Sequence, residues 1–193
     1  MADSEVAERF RRRADAFEAL IAGTAPARWA SPSPCEGWLA RDIVAHILEF
    51  PTWNMPSSVA EFLRDKPGLG HPPSEAVVDD PGTAFRGIRE AVQRVLEDPA
   101  TPADVVAYLD AALSFDLPQH SWDLAKATGQ DATMDPVEVD LLWTTLSPMS
   151  PSWWKWQVDN GHYAPAVPVS EEASLQDRVL GLIGRDPKWT PPG

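Results

Sequence analysis

Proline-led starts divide this chain into segments of helical period. Asp80-Pro81 and Asp135-Pro136 each set a side-chain acceptor before a residue whose fixed φ suits the first helical position. Thr101-Pro102 repeats the signal. Behind these starts, apolar residues recur at three- and four-residue spacing: Phe85, Ile88, Val92, Val95 and Leu96 up to Pro99, then Val105, Val106, Leu109 and Leu113 on to a stop at Gly129. VEVDLLWTTL follows Asp135-Pro136. Val6, Phe10, Phe17, Leu20 and Ile21 keep the same period from about residue 4 to 22, with Glu8 and Arg12 paired outside. LARDIVAHILEF carries Leu39, Ile43, Ile47 and Phe50 near one stripe, with His46 beside it. SSVAEFLRD predicts a short helix, and LQDRVLGLIG a last one, capped by Ser174 and ending at Gly184. PMSPSWWKWQVDNGHYAPAVPV reads as a long irregular segment in which several aromatics share a loop. No stretch shows a convincing β pattern. The pattern predicts an all-α fold, a four-helix bundle with long loops and an additional C-terminal helix.

The 20 prolines fall mostly between the periodic segments, so they punctuate structure rather than signal disorder. At 193 residues, a single domain over 1–193 with a full core is expected. The net charge of −13 opposes binding to nucleic-acid phosphates or anionic membranes, so neither is an expected partner. One cysteine, Cys35, rules out an internal disulfide framework and suits a reducing compartment. The opening MADSEVAERFRRRADAF has charges where a signal peptide needs an apolar run, and no segment approaches the roughly 18 apolar residues of a membrane span. A cytoplasmic location is the expectation.

The stretch SFDLPQHSWDLAKATGQD, residues 114–131, places Asp116 and His120 four apart, side by side on one helical face. Pro118 lies between them. It cannot donate to the carbonyl of Ser114, which predicts a kink or restart between residues 114 and 118 and a displaced Asp116. With His46 on the second helix, Asp116 and His120 make a two-histidine, one-carboxylate set, provided the helices face each other. Zinc, iron, nickel or manganese accept such ligands, and three protein ligands leave room for water or substrate.

At these residues the chain resembles a known family. PSPCEGWLARDIVAHILEF, HSWDLAKATGQD, APAVPV and LGLIGRDPKW together are similar to the DinB-like superfamily and, within it, to the mycothiol-dependent maleylpyruvate isomerase N-terminal, metal-binding group. The resemblance implies a four-helix bundle holding a divalent metal, zinc or nickel, through a histidine of the second helix and a later acidic-x-x-x-His pair. Matched residue by residue, the metal ligands are His46, Asp116 and His120. The characterised isomerase carries a further C-terminal domain, which this chain is expected to lack. Leu39 stands where a capping Thr or Ser is common.

Other residues have a chemical and a structural reading. Asp42, four before His46, either orients its ring or stabilises the first turn of its helix. Asp123 reads as a packing and capping element, and Cys35 as a buried thiol not needed for metal. Trp153, Trp154 and Trp156 either wall a pocket or cover the open end of the bundle. His71 and His162 are expected on solvated loops, His162 on one that crosses the site end.

The function expected is a divalent-metal-dependent enzyme activating a low-molecular-weight thiol, mycothiol, for transfer or isomerisation of a small-molecule substrate. A metal-dependent hydrolase and a non-catalytic metal- or small-ligand-binding protein are the alternatives. A non-haem iron oxygenase ranks last, because such ligand sets usually sit on β-barrels. A homodimer is compatible with such a bundle.

Overall fold

In the computed structural model of the chain, residues 2–50, 55–69 and 80–192 are described; His71 lies outside them. Helices α1 (Ala2–Gly23), α2 (Ala40–Leu48), α3 (Ser57–Arg64), α4 (Pro81–Glu97), α5 (Ala103–Leu109), α6 (Phe115–Thr128), α7 (Pro136–Leu146), α8 (Pro151–Asp159) and α9 (Leu175–Leu182) follow in order, with no strand among the described residues. The bundle is a closed ring of four neighbours: α1 packs on α4 and α6, and α2 packs on the same two helices. Its core draws Phe10 and Phe17 from α1, Ile43 and Ile47 from α2, Phe85 and Val92 from α4, and Leu117 and Leu124 from α6.

Asp80 and Asp135 cap as expected, accepting from the N–H groups of Thr83 and Val137 at 3.0 and 2.8 Å. Thr101 does not. Its hydroxyl donates to the Val95 carbonyl at 2.6 Å, and α5 starts one residue past Pro102. The tryptophan-rich stretch is a helix rather than a loop. Ser150 Oγ accepts from the Trp153 N–H at 3.2 Å and Pro151 takes the first turn, a start signal that the density of aromatics obscured.

Helices α5 and α6 form one rod interrupted by a π-turn at Asp110–Ser114, where the Phe115 N–H bonds to Asp110 one residue further back than in an α-helix. The irregularity expected from Pro118 therefore falls just before Phe115, and the segment holding Asp116, Pro118 and His120 is a continuous α-helix. The acceptor that Pro118 leaves without a backbone donor has another partner. Arg13, 4% exposed, donates to the Ser114 carbonyl at 3.0 Å and to its Oγ at 2.9 Å. The same guanidinium pairs with Glu138 of α7 at 2.6 Å, and Arg9 pairs with Asp110 at 2.6 Å, so α1 clamps the π-turn from one side.

A second apolar cluster sits on the other flank of α6, where Trp122 meets Leu142 and Leu146 of α7 and Val179, Leu180 and Ile183 around α9. This flank brings the C-terminal helix up to the bundle.

Candidate metal centre

His46 stands at the edge of the apolar stripe of α2, flanked by buried Val44, Ile47 and Leu48. Leu39 gives α2 no side-chain cap; instead the Asp42 carboxylate reaches back to the Leu39 N–H at 2.8 Å, the helix-start reading of that residue. Because α2 lies against α6, His46 meets Asp116 and His120. His46 Nε2 is 3.2 Å from Asp116 Oδ2, and His120 Nε2 is 3.3 Å from the same oxygen. All three ligand atoms lie within 4.8 Å of one another. In a tetrahedral centre with bonds of about 2.1 Å, neighbouring ligand atoms are separated by about 3.4 Å. The two histidine–carboxylate separations match that edge, so the residues fit a divalent cation. Asp116 is not swung away by Pro118. The side chains of His46 and Asp116 are 31% and 24% exposed and that of His120 is 7%, so the cluster is open on the His46 side.

His120 is oriented from behind. Its Nδ1 lies 2.9 Å from Asp123 Oδ2 in the fully buried part of α6. An ionised carboxylate only accepts, so Nδ1 carries the proton and Nε2 can turn a lone pair toward His46 and Asp116. Asp123 is held by Arg185, whose Nε and Nη2 donate to its two oxygens at 3.2 and 2.8 Å. Burial alone would raise the carboxyl pKa of Asp123, but the Arg185 charge and the His120 bond outweigh it and keep the group well below the usual range. Asp116 behaves alike: burial pushes it up, and the two histidines, His120 foremost, bring it far down. Burial would lower His120, but Asp116 and then Asp123 lift it well above an ordinary histidine. A partly exposed and a fully buried carboxylate, Asp116 and Asp123, flank one imidazole and draw positive charge to it.

Cys35, His120 and Asp123 form a second group with metal-ligand atoms in reach. The fixed charge of Arg185, 2.8 Å from Asp123 and 3.9 Å from the sulfur, opposes a cation there. Burial and the Asp123 charge push the Cys35 thiol up, which suits its role as a donor to Asp123 Oδ2 at 3.3 Å.

Trp38 walls the centre, with its ring 5.1 Å from that of His46 and nearly parallel to that of His120 at 6.0 Å. Trp153 and Trp154 pack around Tyr163, whereas Trp156 is 55% exposed and lies against exposed His162. Spacing singles out neither Trp38 nor Arg185, although Arg185 lies within LGLIGRDPKW; Asp123 was visible at three residues from His120. A separate cleft of about 370 Å³ between α1, α6 and α7 is lined by Leu20, Pro118 and Trp122 and by none of the cluster residues.

Comparison with known proteins agrees with this picture. Two curated relatives, the uncharacterised proteins MT0763 of Mycobacterium tuberculosis (strain CDC 1551 / Oshkosh) and Rv0738 of Mycobacterium tuberculosis (strain ATCC 25618 / H37Rv), are each 25% identical over 180 residues, covering 91% of this chain and 94% of theirs. No solved structure matches the chain. The family model of the mycothiol maleylpyruvate isomerase N-terminal domain matches residues 10–157, a span that holds His46, Asp116 and His120. The chain therefore belongs to the mycothiol maleylpyruvate isomerase N-terminal domain family, within the DinB-like superfamily.

Proposed function

We propose that this chain is a divalent-metal-dependent enzyme that binds a low-molecular-weight thiol, mycothiol, and directs its sulfur to an electrophilic small molecule in a transfer or isomerisation reaction. His46 Nε2, Asp116 Oδ2 and His120 Nε2 hold the metal, zinc by preference, and the whole chain acts as one unit in the cytoplasm. The observation that carries this reading is the convergence of the three ligand atoms, with Asp116 Oδ2 3.2 and 3.3 Å from the two imidazole nitrogens.

A divalent metal held there supplies Lewis acidity, lowering the pKa of a bound thiol or water near neutral pH. The protein's own residues prepare the place. Asp123 and Arg185 fix the His120 tautomer and ring plane. The Trp38 ring covers both histidines and limits water on that side. Three protein ligands, rather than four, leave a position for the thiol.

Elemental analysis of protein purified without added metal tests the ligand set. Near-stoichiometric metal in the parent and its loss from both His46→Ala and His120→Ala are expected; parent-level metal in both variants removes these residues from the site. Turnover of reactive electrophiles that requires added thiol supports the reaction class, and turnover undiminished without thiol rejects it.

A further inference from the structure

His120 belongs to two groups of ligand atoms at once. Its Nε2 faces Asp116 Oδ2 at 3.3 Å, whereas its Nδ1 lies 2.9 Å from Asp123 Oδ2, an oxygen that Cys35 Sγ also reaches at 3.3 Å. The ligand atoms of Cys35, His120 and Asp123 fall within 4.8 Å of one another, as those of His46, Asp116 and His120 do. On ligand chemistry alone the Cys35 side is the stronger claimant for zinc, because it offers the one soft sulfur donor of the two groups. One imidazole cannot serve both.

A fourth side chain decides between them. Arg185 Nη2 lies 2.8 Å from Asp123 Oδ2 and 3.9 Å from Cys35 Sγ, and its Nε lies 3.2 Å from Asp123 Oδ1. The guanidinium is thus seated against two of the three donors of the Cys35 group. The Arg185 side chain is 10% exposed and that of Asp123 is fully buried, so water screens this charge little, and a second cation on the same donors is strongly repelled. The backbone fixes the arginine there. Gly184, at φ +80°, turns the chain so closely that a Cβ would sit 2.5 Å from the Ala164 carbonyl oxygen. The Arg185 N–H then donates to the Leu180 carbonyl at 2.8 Å and its Nη1 to the Ile183 carbonyl at 3.1 Å. On the other side of His120, Asp116 meets the two imidazoles.

We propose that Arg185 is a positioning residue that acts as a resident cation, withholding Cys35 and Asp123 from the metal so that the ion binds on the Nε2 side of His120 with no protein thiolate. The role rests on the reading of His46, Asp116 and His120 as the metal ligands. A thiolate ligand would donate charge to the metal and weaken its pull on an incoming thiol or water, a pull that two imidazoles and one carboxylate preserve. Without the Arg185 charge, the metal takes the place of the guanidinium. The Cys35 thiol then gives its proton to solvent as the metal–sulfur bond forms, and His120 changes tautomer to offer Nδ1.

Cobalt-loaded protein without added thiol provides the test, read through the sulfur-to-cobalt charge-transfer band. The parent should bind cobalt and show no such band. Arg185→Gln keeps a donor for Asp123 but no charge; it should show the band, and Arg185→Gln/Cys35→Ser should lose it. Arg185→Lys restores the charge and should show no band, which separates the charge from packing. A band in the parent or in Arg185→Lys, or none in cobalt-loaded Arg185→Gln, overturns the role of Arg185. A parent that binds no cobalt overturns the metal centre, and this role with it. Should Arg185→Gln not fold, the parent decides: cadmium, a softer ion, should bind without cadmium–sulfur absorption and leave the rate of Cys35 alkylation by iodoacetamide unchanged. Such absorption, or protection of Cys35 by cadmium, overturns the proposal.

Discussion

His120 has a different partner on each ring nitrogen, Asp116 on one side and Asp123 on the other, an asymmetry that suits a metal ligand better than a filler of the core. Asp123→Asn keeps the size of the side chain but can offer an N–H to Nδ1, which favours the wrong tautomer, and it leaves Arg185 buried without its counter-charge. Metal should remain detectable in this variant, but with affinity lowered about 10- to 100-fold, as measured by competition with a chelator. Equal affinities would mean that Asp123 serves packing only. Cys35→Ser should retain metal at the parent level, because the sulfur faces Asp123 under the Arg185 charge rather than the ligand triangle. Loss of metal there would transfer the centre to the Cys35–His120–Asp123 group.

At the scale of elements, the π-turn sets the rotation of α6. One extra residue in a turn rotates everything after it by about 100° about the helix axis, so the turn decides which face of α6 looks at α2. Arg13 supports that choice by serving the carbonyl that Pro118 leaves without a donor. Arg13→Met removes one partner of a buried ion pair and abandons the Ser114 carbonyl, so it should cost on the order of 3 kcal/mol in chemical denaturation. Adding Glu138→Leu should restore a good part of that loss. If the single variant is as stable as the parent, the clamp is ornamental. Replacing Pro118 by Leu should change metal affinity little, because Asp116 already sits at ligand distance from both histidines; a marked tightening would revive the view that the proline strains the site.

Over the whole molecule, buried charge couples the centre to stability. Asp116 and Asp123 have folded pKa values below their unfolded value near 3.9, so their contribution is present above that pH and is lost in acid. His120 has a folded value above its unfolded value of about 6.5, so its contribution is complete below that pH and is lost as pH rises through the folded value. Chelator-treated protein should therefore have its highest Tm between about pH 4 and 6.5, and saturating zinc should move the maximum to higher pH, as a cation replaces the proton on His120. A flat Tm profile without metal would show that the cluster is not coupled to folding. Gly184 lies at φ +80° with Ala164 against it, so Gly184→Ala should lower stability in chemical denaturation by about 1–2 kcal/mol or more.

The helices, most of their caps and the three candidate ligands were legible in the sequence, because period, capping residues and i,i+4 spacing are local and each helix must bury its own stripe. The facing of α2 and α6 that joins His46 to Asp116 and His120 was conditional on packing. Sequence reasoning expected a kink or restart between residues 114 and 118 and did not foresee the π-turn at Asp110–Ser114, because the donor that satisfies Ser114 comes from Arg13, 101 residues away. Arg185 behind Asp123 was not legible either, because it follows the turn at Gly184, whose close approach to the Ala164 backbone no single segment specifies. Spacing along one element determines which side chains share a face; only the closing of the bundle determines which faces meet, since that depends on contacts no single segment contains.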